Sequence, residues 1–231
     1  MKQLDNVGKK WWHYLLPVVF FLAISMAYFS PILKGKVLPQ GDMTKVEGLV
    51  QELKNFYDET GETSLWTGTI FGGMPAYHVA AYGIGQSNYV KYLQTILEPF
   101  DYRTIRILLL SLLAFYLLML TLGANIWLAT IGAIAFALSS YNIIIVEAGH
   151  ITKAYAIAYM PVVVAGVLMA YNKKVLLGAA VTAVGLSLQI GSNHYQITYY
   201  LAFIVVALAL CYLVYMLKQK QLKQFTVASC A

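Results

Sequence analysis

The chain has 231 residues, of which 60% are hydrophobic and 11% are charged, with a net charge of +6 and a mean hydropathy of +0.66. Soluble domains carry about 25% charged residues, so this composition excludes an ordinary soluble core and points to a membrane protein. The basic residues sit mostly beside apolar runs, without Gly-aromatic or zinc-type motifs, which excludes nucleic acid as a partner; Cys211 lies inside an apolar run and Cys230 beside the last residue, so neither a disulfide framework nor a cysteine metal site is expected.

The first apolar run covers residues 14–33 and follows Lys9 and Lys10, as the core of a signal peptide would. It is long enough to span a bilayer, Trp11 and Trp12 sit at its edge, and no small-x-small cleavage site follows. It reads as an uncleaved first span. Past its end comes VLPQGDMTKVEG, residues 37–48, with a carboxylate at Asp42. Thr44 and Glu47 fit the capping-box pattern and predict a helix over 45–58. Val46, Leu49, Val50, Leu53, Phe56 and Tyr57 would form its apolar face, suited to lying along a membrane surface. A charge near a helix N-terminus is stabilising in its own right, but with Thr44 as the cap this helix does not need Asp42. That leaves Asp42 as a candidate working group. Capping alone accounts for Glu47.

Residues 64–78 read SLWTGTIFGGMPAYH. Gly72, Gly73 and Pro75 oppose a regular helix and predict a tight turn, ringed by Trp66, Phe71, Tyr77 and His78. Such rings either pin the loop into the membrane interface or form a platform for a flat or sugar-like ligand. A second surface helix is expected over 88–97, ended by Pro99. Arg103 and Arg106 then open the second span, placed to snorkel to lipid phosphate or to bind a lipid carrier.

Five further apolar runs follow, at 104–122, 126–146, 154–171, 175–191 and 197–217. Between the third and fourth spans stand Glu147, His150 and Lys153, which would line up along one helix face if that helix begins early. Lys and protonated His there are suited to holding a phosphate; the alternative is an ordinary polar turn. Between the fifth and sixth spans stand Ser192, Asn193, His194, Tyr195 and Gln196, which raise the same choice. Gln189 sits close to a span end. His78, His150 and His194 are metal-ligand types without a diagnostic spacing.

The expected fold is therefore all-α and polytopic, with six transmembrane helices and one long first outer loop, 34–103, carrying surface helices. Lysine placement orients it. With the N-terminus cytoplasmic, Lys173-Lys174 and the Lys218–Lys223 tail fall inside, and every unusual polar cluster falls outside. Transporters usually place polar groups near the bilayer midplane; this midplane is nearly bare.

The first span with LPQGDM, then SLWTGTIFGGMPAYHV, EAGHITKAYAIAYMP and GSNHYQITYY, resemble the bacterial YfhO family of membrane proteins, and within it the Bacteroidetes type. That family is similar to the GT-C glycosyltransferases, which take sugars from polyprenyl-phosphate carriers. The resemblance covers nearly the whole chain and implies the N-terminal part of a longer protein, residues 1–231 forming one membrane domain of the bacterial inner membrane. It implies that Asp42, in the first outer loop, is the catalytic carboxylate, acting as general base on an acceptor hydroxyl or holding a divalent cation, magnesium or manganese. Trp66, His78, His150, Lys153, Asn193 and His194 would bind substrate. The implied partners are membrane lipid and a polyprenyl-phosphate sugar donor, and the acceptor belongs to the cell envelope. A lipid or polymer transporter, or a non-catalytic membrane scaffold, is the alternative.

Overall fold

The computed structural model describes residues 12–78, 92 and 102–230. Apart from Tyr92, the expected helix over 88–97 lies outside the described residues, as do Trp11 and Pro99.

Among the described residues the fold is all-α apart from one pair of two-residue strands. Helices α1 (Trp12–Tyr28) and α2 (Ser30–Leu33) are followed by α3 (Gly41–Leu49) and α4 (Gln51–Thr60). Strands β1 (Trp66–Thr67) and β2 (Met74–Pro75) pair antiparallel, Trp66 opposite Pro75 and Thr67 opposite Met74. Then come α5 (Arg103–Thr121), α6 (Ile126–Ala137), α7 (Ser140–Ala148), α8 (Ile151–Tyr171), α9 (Val175–Gly191), α10 (Tyr195–Lys218) and α11 (Leu222–Cys230).

Each of the six apolar runs is helical. Among the described residues, α5, α8 and α10 are long and apolar enough to cross a membrane, or four crossings if α6 and α7 count as one. Those two meet at a 42° bend, which the continuous apolar run 126–146 did not predict. At the break the carbonyl of Phe136 accepts from the Ser139 amide at 3.2 Å and from Asn142 Nδ2–H at 2.8 Å. Helices α1 and α9, at 17 residues each, are shorter.

Helix α8 is central, packing against α5, α7, α9, α10 and α11. Small residues bring α8 and α9 together: at Gly178 the backbones of Ala170 and Gly166 occupy the space a side chain would take, and Gly166 lies equally close to Thr182. Apolar surroundings supply little drive for helix association, so close van der Waals packing through small residues must supply it. On the other side α1 packs on α5, where buried Phe21 meets Tyr116 edge to face at 5.5 Å. Helix α11 folds back on α8, with Phe225 stacked on Tyr171 at 5.7 Å and Gln224 donating to the Tyr171 carbonyl at 3.1 Å.

The capping box is not used. The helix starts at Gly41 with Gln40 as its N-cap residue, and Thr44 sits inside, its hydroxyl directed back at the Gln40 carbonyl at 3.4 Å. Glu47 is exposed and caps nothing. The expected 45–58 helix is two helices joined at Val50. Its apolar face is also divided: Leu53 is buried, while Phe56 and Tyr57 are exposed.

Candidate functional site

The site begins with the end of α7. Gly149 closes that helix at φ +92°, a left-handed conformation that glycine adopts without penalty. A side chain there would also press on Gln40 and Met43, at 3.1 Å and 3.2 Å from its Cβ. This bare turn is the seat on which the start of α3 docks. Gln40 Nε2 donates to the carbonyl of Val146 across the junction. Docking sets Asp42 in the first turn of α3 beside His150: Asp42 Oδ2 lies 2.9 Å from His150 Nδ1, and Oδ1 lies 3.6 Å from Lys45 Nζ.

Asp42 is about one-third exposed and His150 half exposed. Ion pairs so open to water contribute about 0–1 kcal/mol to stability. The consequence of this pair is orientation. A carboxylate on Nδ1–H fixes the imidazole plane and tautomer, leaving Nε2 as the reactive nitrogen.

Lys153, one turn into α8, lies over the ring of Tyr141 at 5.3 Å from its centroid. Lys153 and His150 both act on His194, which caps the start of α10. Burial, then the charge of Lys153, then that of His150 hold the His194 pKa below its ordinary 6.5. Asp42, His150, Lys153 and His194 thus gather at one end of the helices, above an apolar floor that includes Ile107, Val146, Ile151, Tyr155 and Leu188.

The loop after α4 is fastened to this end. Phe71, Gly72 and Gly73 all have positive φ, which turns the chain between β1 and β2. The Trp66 ring covers Gly73 so closely that a Cβ would meet Nε1 at 2.6 Å. Glu52 accepts from the Thr67 hydroxyl and, at 3.0 Å, from the Gly68 amide, locking the loop to α4. Asn193 donates to the Tyr77 carbonyl at 2.7 Å, tying the loop to the α9–α10 turn. Trp66 and His78 are both exposed, and His78 leans on the Tyr77 ring.

The structure therefore brings together Asp42, His150, Lys153 and His194, and uses Asn193 as a tether. Trp66 and His78 belong to the tethered loop. Glu147 does not share a face with His150 and Lys153, because Gly149 ends α7 and His150 is already the cap of α8. Glu147 is exposed. Arg103 and Arg106 open α5, both half-buried. Among the described residues no three His, Cys, Asp or Glu side chains converge as metal ligands. The Asp42 carboxylate is engaged by His150 and Lys45, and the described residues bring no third ligand beside it. Sequence reasoning missed Gln40, Glu52 and Tyr141; no local pattern distinguishes such anchors from ordinary polar or aromatic residues. An apolar groove of about 510 Å³, lined in part by Leu16, Phe20, Ile126 and Trp127, lies at the opposite end of α1 and α6 from this cluster.

One consequence is measurable in the intact chain. Replacing Lys153 by Gln removes the larger of the two charge effects on His194 and is expected to raise its pKa, with a smaller rise for His150→Gln. Histidine NMR titration reads both, and an unmoved His194 in Lys153→Gln would contradict the arrangement. The sign for stability follows from linkage. A folded pKa below the unfolded value means the unfolded chain binds more protons, so stability falls as pH drops through 6.5 toward the folded pKa.

Comparison of the chain with protein-family models, with curated proteins and with solved structures finds no match.

Proposed function

We propose that this protein is a membrane glycosyltransferase of GT-C type, transferring a sugar from a polyprenyl-phosphate carrier to a hydroxyl of a cell-envelope acceptor. The observation that carries the reading is the meeting of Asp42, His150 and Lys153, which joins a carboxylate to cationic groups at one end of the helices. The resemblance to the YfhO family supplies the reaction class. The acceptor oxygen bonds to the anomeric carbon, the bond from that carbon to the phosphate oxygen breaks, and the phosphate leaves with the electron pair. Asp42 receives the hydroxyl proton as general base. Lys153, and His150 when protonated, stabilise the leaving phosphate. Asn193, through the Tyr77 tether, holds the loop bearing Trp66 and His78 over the site as a platform for the sugar.

The test is sugar transfer from a panel of polyprenyl-phosphate sugars, run on the chain and on Asp42→Asn. Transfer that is lost in the variant while folding is retained supports the reading. Transfer unchanged by Asp42→Asn removes Asp42 from the mechanism.

The same reading sets α1, α5, α6 with α7, α8, α9 and α10 as six crossings of the bacterial inner membrane. The N-terminus is cytoplasmic, α3 and α4 lie on the outer surface, and the 17-residue helices cross where the bilayer thins or flanking side chains snorkel. Cysteines introduced at Ser64 and Asn193 are expected to react with an impermeant thiol reagent added from outside. Labelling from the cytoplasmic side alone would overturn this topology.

A further inference from the structure

Gln189, in the last turn of α9, is fully buried. Its Oε1 accepts from the Thr198 hydroxyl at 3.0 Å, which fixes the amide and turns Nε2 away from that bond. Gln189 Nε2 is buried with no hydrogen-bond partner, and so is His194 Nε2. The two belong to one place. Thr198 lies one turn along α10 from His194, its amide donating to the His194 carbonyl at 3.4 Å. The amide end of Gln189, held by Thr198, and the imidazole of the N-cap residue His194 therefore both belong to the α9–α10 turn. Buried polar groups in native proteins are almost always hydrogen-bonded, and two unsatisfied nitrogens at one helix–helix turn point to a polar group that bridges them.

We propose that Gln189 and His194 form a binding subsite for a ligand hydroxyl, which donates to His194 Nε2 and accepts from Gln189 Nε2. The donor pattern selects the group. Gln189 Nε2 can only donate. In a neutral imidazole one nitrogen donates and the other accepts, and a proton held on Nδ1 leaves Nε2 as the acceptor. The occupant must give one hydrogen bond and take one through a single atom. A hydroxyl does both. An ionised phosphate oxygen or a carbonyl oxygen only accepts, and an ammonium only donates. Burial and the charge of Lys153 lower the His194 pKa, which favours the neutral form with its acceptor nitrogen. Lys153 and His150 act on the same imidazole, so a ligand anchored by its phosphate at those cations reaches the subsite with a neighbouring hydroxyl. That the hydroxyl belongs to a sugar rests on the function proposed above.

The test uses the full chain in phosphatidylcholine nanodiscs, with ¹⁵N-histidine NMR as the readout. The probes are octyl β-glucoside below its micelle concentration, farnesyl-phosphate glucose, and farnesyl phosphate. Both sugar probes are expected to shift His194 Nε2 saturably, octyl β-glucoside without any phosphate; farnesyl phosphate is expected to act on His194 only through the charges of Lys153 and His150, in a response that Gln189→Met leaves unchanged. Gln189→Met is expected to weaken glucoside binding at least ten-fold without lowering Tm, because an apolar side chain of similar length suits the buried position. A residue that serves only the fold would show the opposite, a lower Tm with unchanged binding. Thr198→Val, which frees the amide to rotate, is expected to weaken binding several-fold and stands in should Gln189→Met fail to fold. Absence of a shift with both sugar probes means that water alone satisfies the two nitrogens, and overturns the proposal. So does unchanged glucoside affinity in the variants. Glucoside binding through this pair without any sugar transfer would sink the enzymatic reading and leave the subsite standing; transfer without a His194 response would do the reverse.

Discussion

Gly178→Ala is expected to lower the unfolding temperature by roughly 6–12 °C, corresponding to about 3 kcal/mol for a chain of this size. Elsewhere in a helix the same change stabilises by up to about 1 kcal/mol, because alanine loses less backbone entropy than glycine. The sign reverses here because the new methyl would fall on the backbone nitrogen and Cα of Ala170 and on the carbonyl of Gly166. Backbone cannot rotate aside as a side chain can, so α9 must withdraw from α8 along their shared face. Gly132 in α6 is the control. The nearest atoms to an added Cβ there all belong to the side chain of Met119, at 3.4 Å or more, and a thioether chain with three rotatable bonds adapts. Gly132→Ala is therefore expected to be neutral or mildly stabilising. Thermal unfolding in detergent, followed by tryptophan fluorescence, reads both. Equal Tm values for the two variants would mean that α8 and α9 do not meet backbone to backbone.

The helices were legible because their signal is local. Long apolar runs at 104–122, 154–171 and 197–217 correspond to α5, α8 and α10 within a few residues. The break between α6 and α7 escaped notice because Leu138, Ser139 and Ser140 do not interrupt hydropathy; the helix end is seen only in the turn bonds at the Phe136 carbonyl, from Ser139 and from Asn142. The capping box failed for a related reason. Thr44 and Glu47 satisfy the local rule, yet Gln40 is pulled to the Val146 carbonyl by a contact 106 residues away in sequence, and the helix starts where that tether lets it. Tertiary contacts outweighed a device worth about 1 kcal/mol.

The site was legible as a set of residue types and hidden as a geometry. Asp42, His150, Lys153 and His194 each stood out as polar groups at the edges of apolar runs. Nothing local said that His150 would face Asp42 while Glu147, three residues earlier, would face away. That division is made by one glycine at positive φ, which ends α7 and starts α8 on a new axis. Gln189 was visible as a lone amide near a span end, but its unsatisfied nitrogen exists only in three dimensions.

On the function proposed above, Asp42→Asn is expected to cut sugar transfer by about 10²–10⁴-fold, the usual contribution of a positioned general base, while changing stability by no more than about 1 kcal/mol. The structure makes this comparison necessary. Because Thr44 does not cap α3, Asp42 occupies the first turn of that helix and serves its dipole directly, a role worth about 0.3–1 kcal/mol. A purely structural Asp42 would show that small loss of stability and an unchanged rate. Asparagine is nearly isosteric and still accepts a hydrogen bond from His150, so docking of α3 on the Gly149 turn should survive. Asp42→Glu preserves the charge but displaces the carboxylate, and partial activity is expected from it. His150→Gln separates the members of the pair: if Asp42 takes the proton itself, this variant keeps a measurable rate with weaker donor binding, whereas a loss as deep as that of Asp42→Asn would move the base to His150, with Asp42 positioning it. Exposed Glu147 is the inert comparison, and Glu147→Gln should leave both rate and Tm in place.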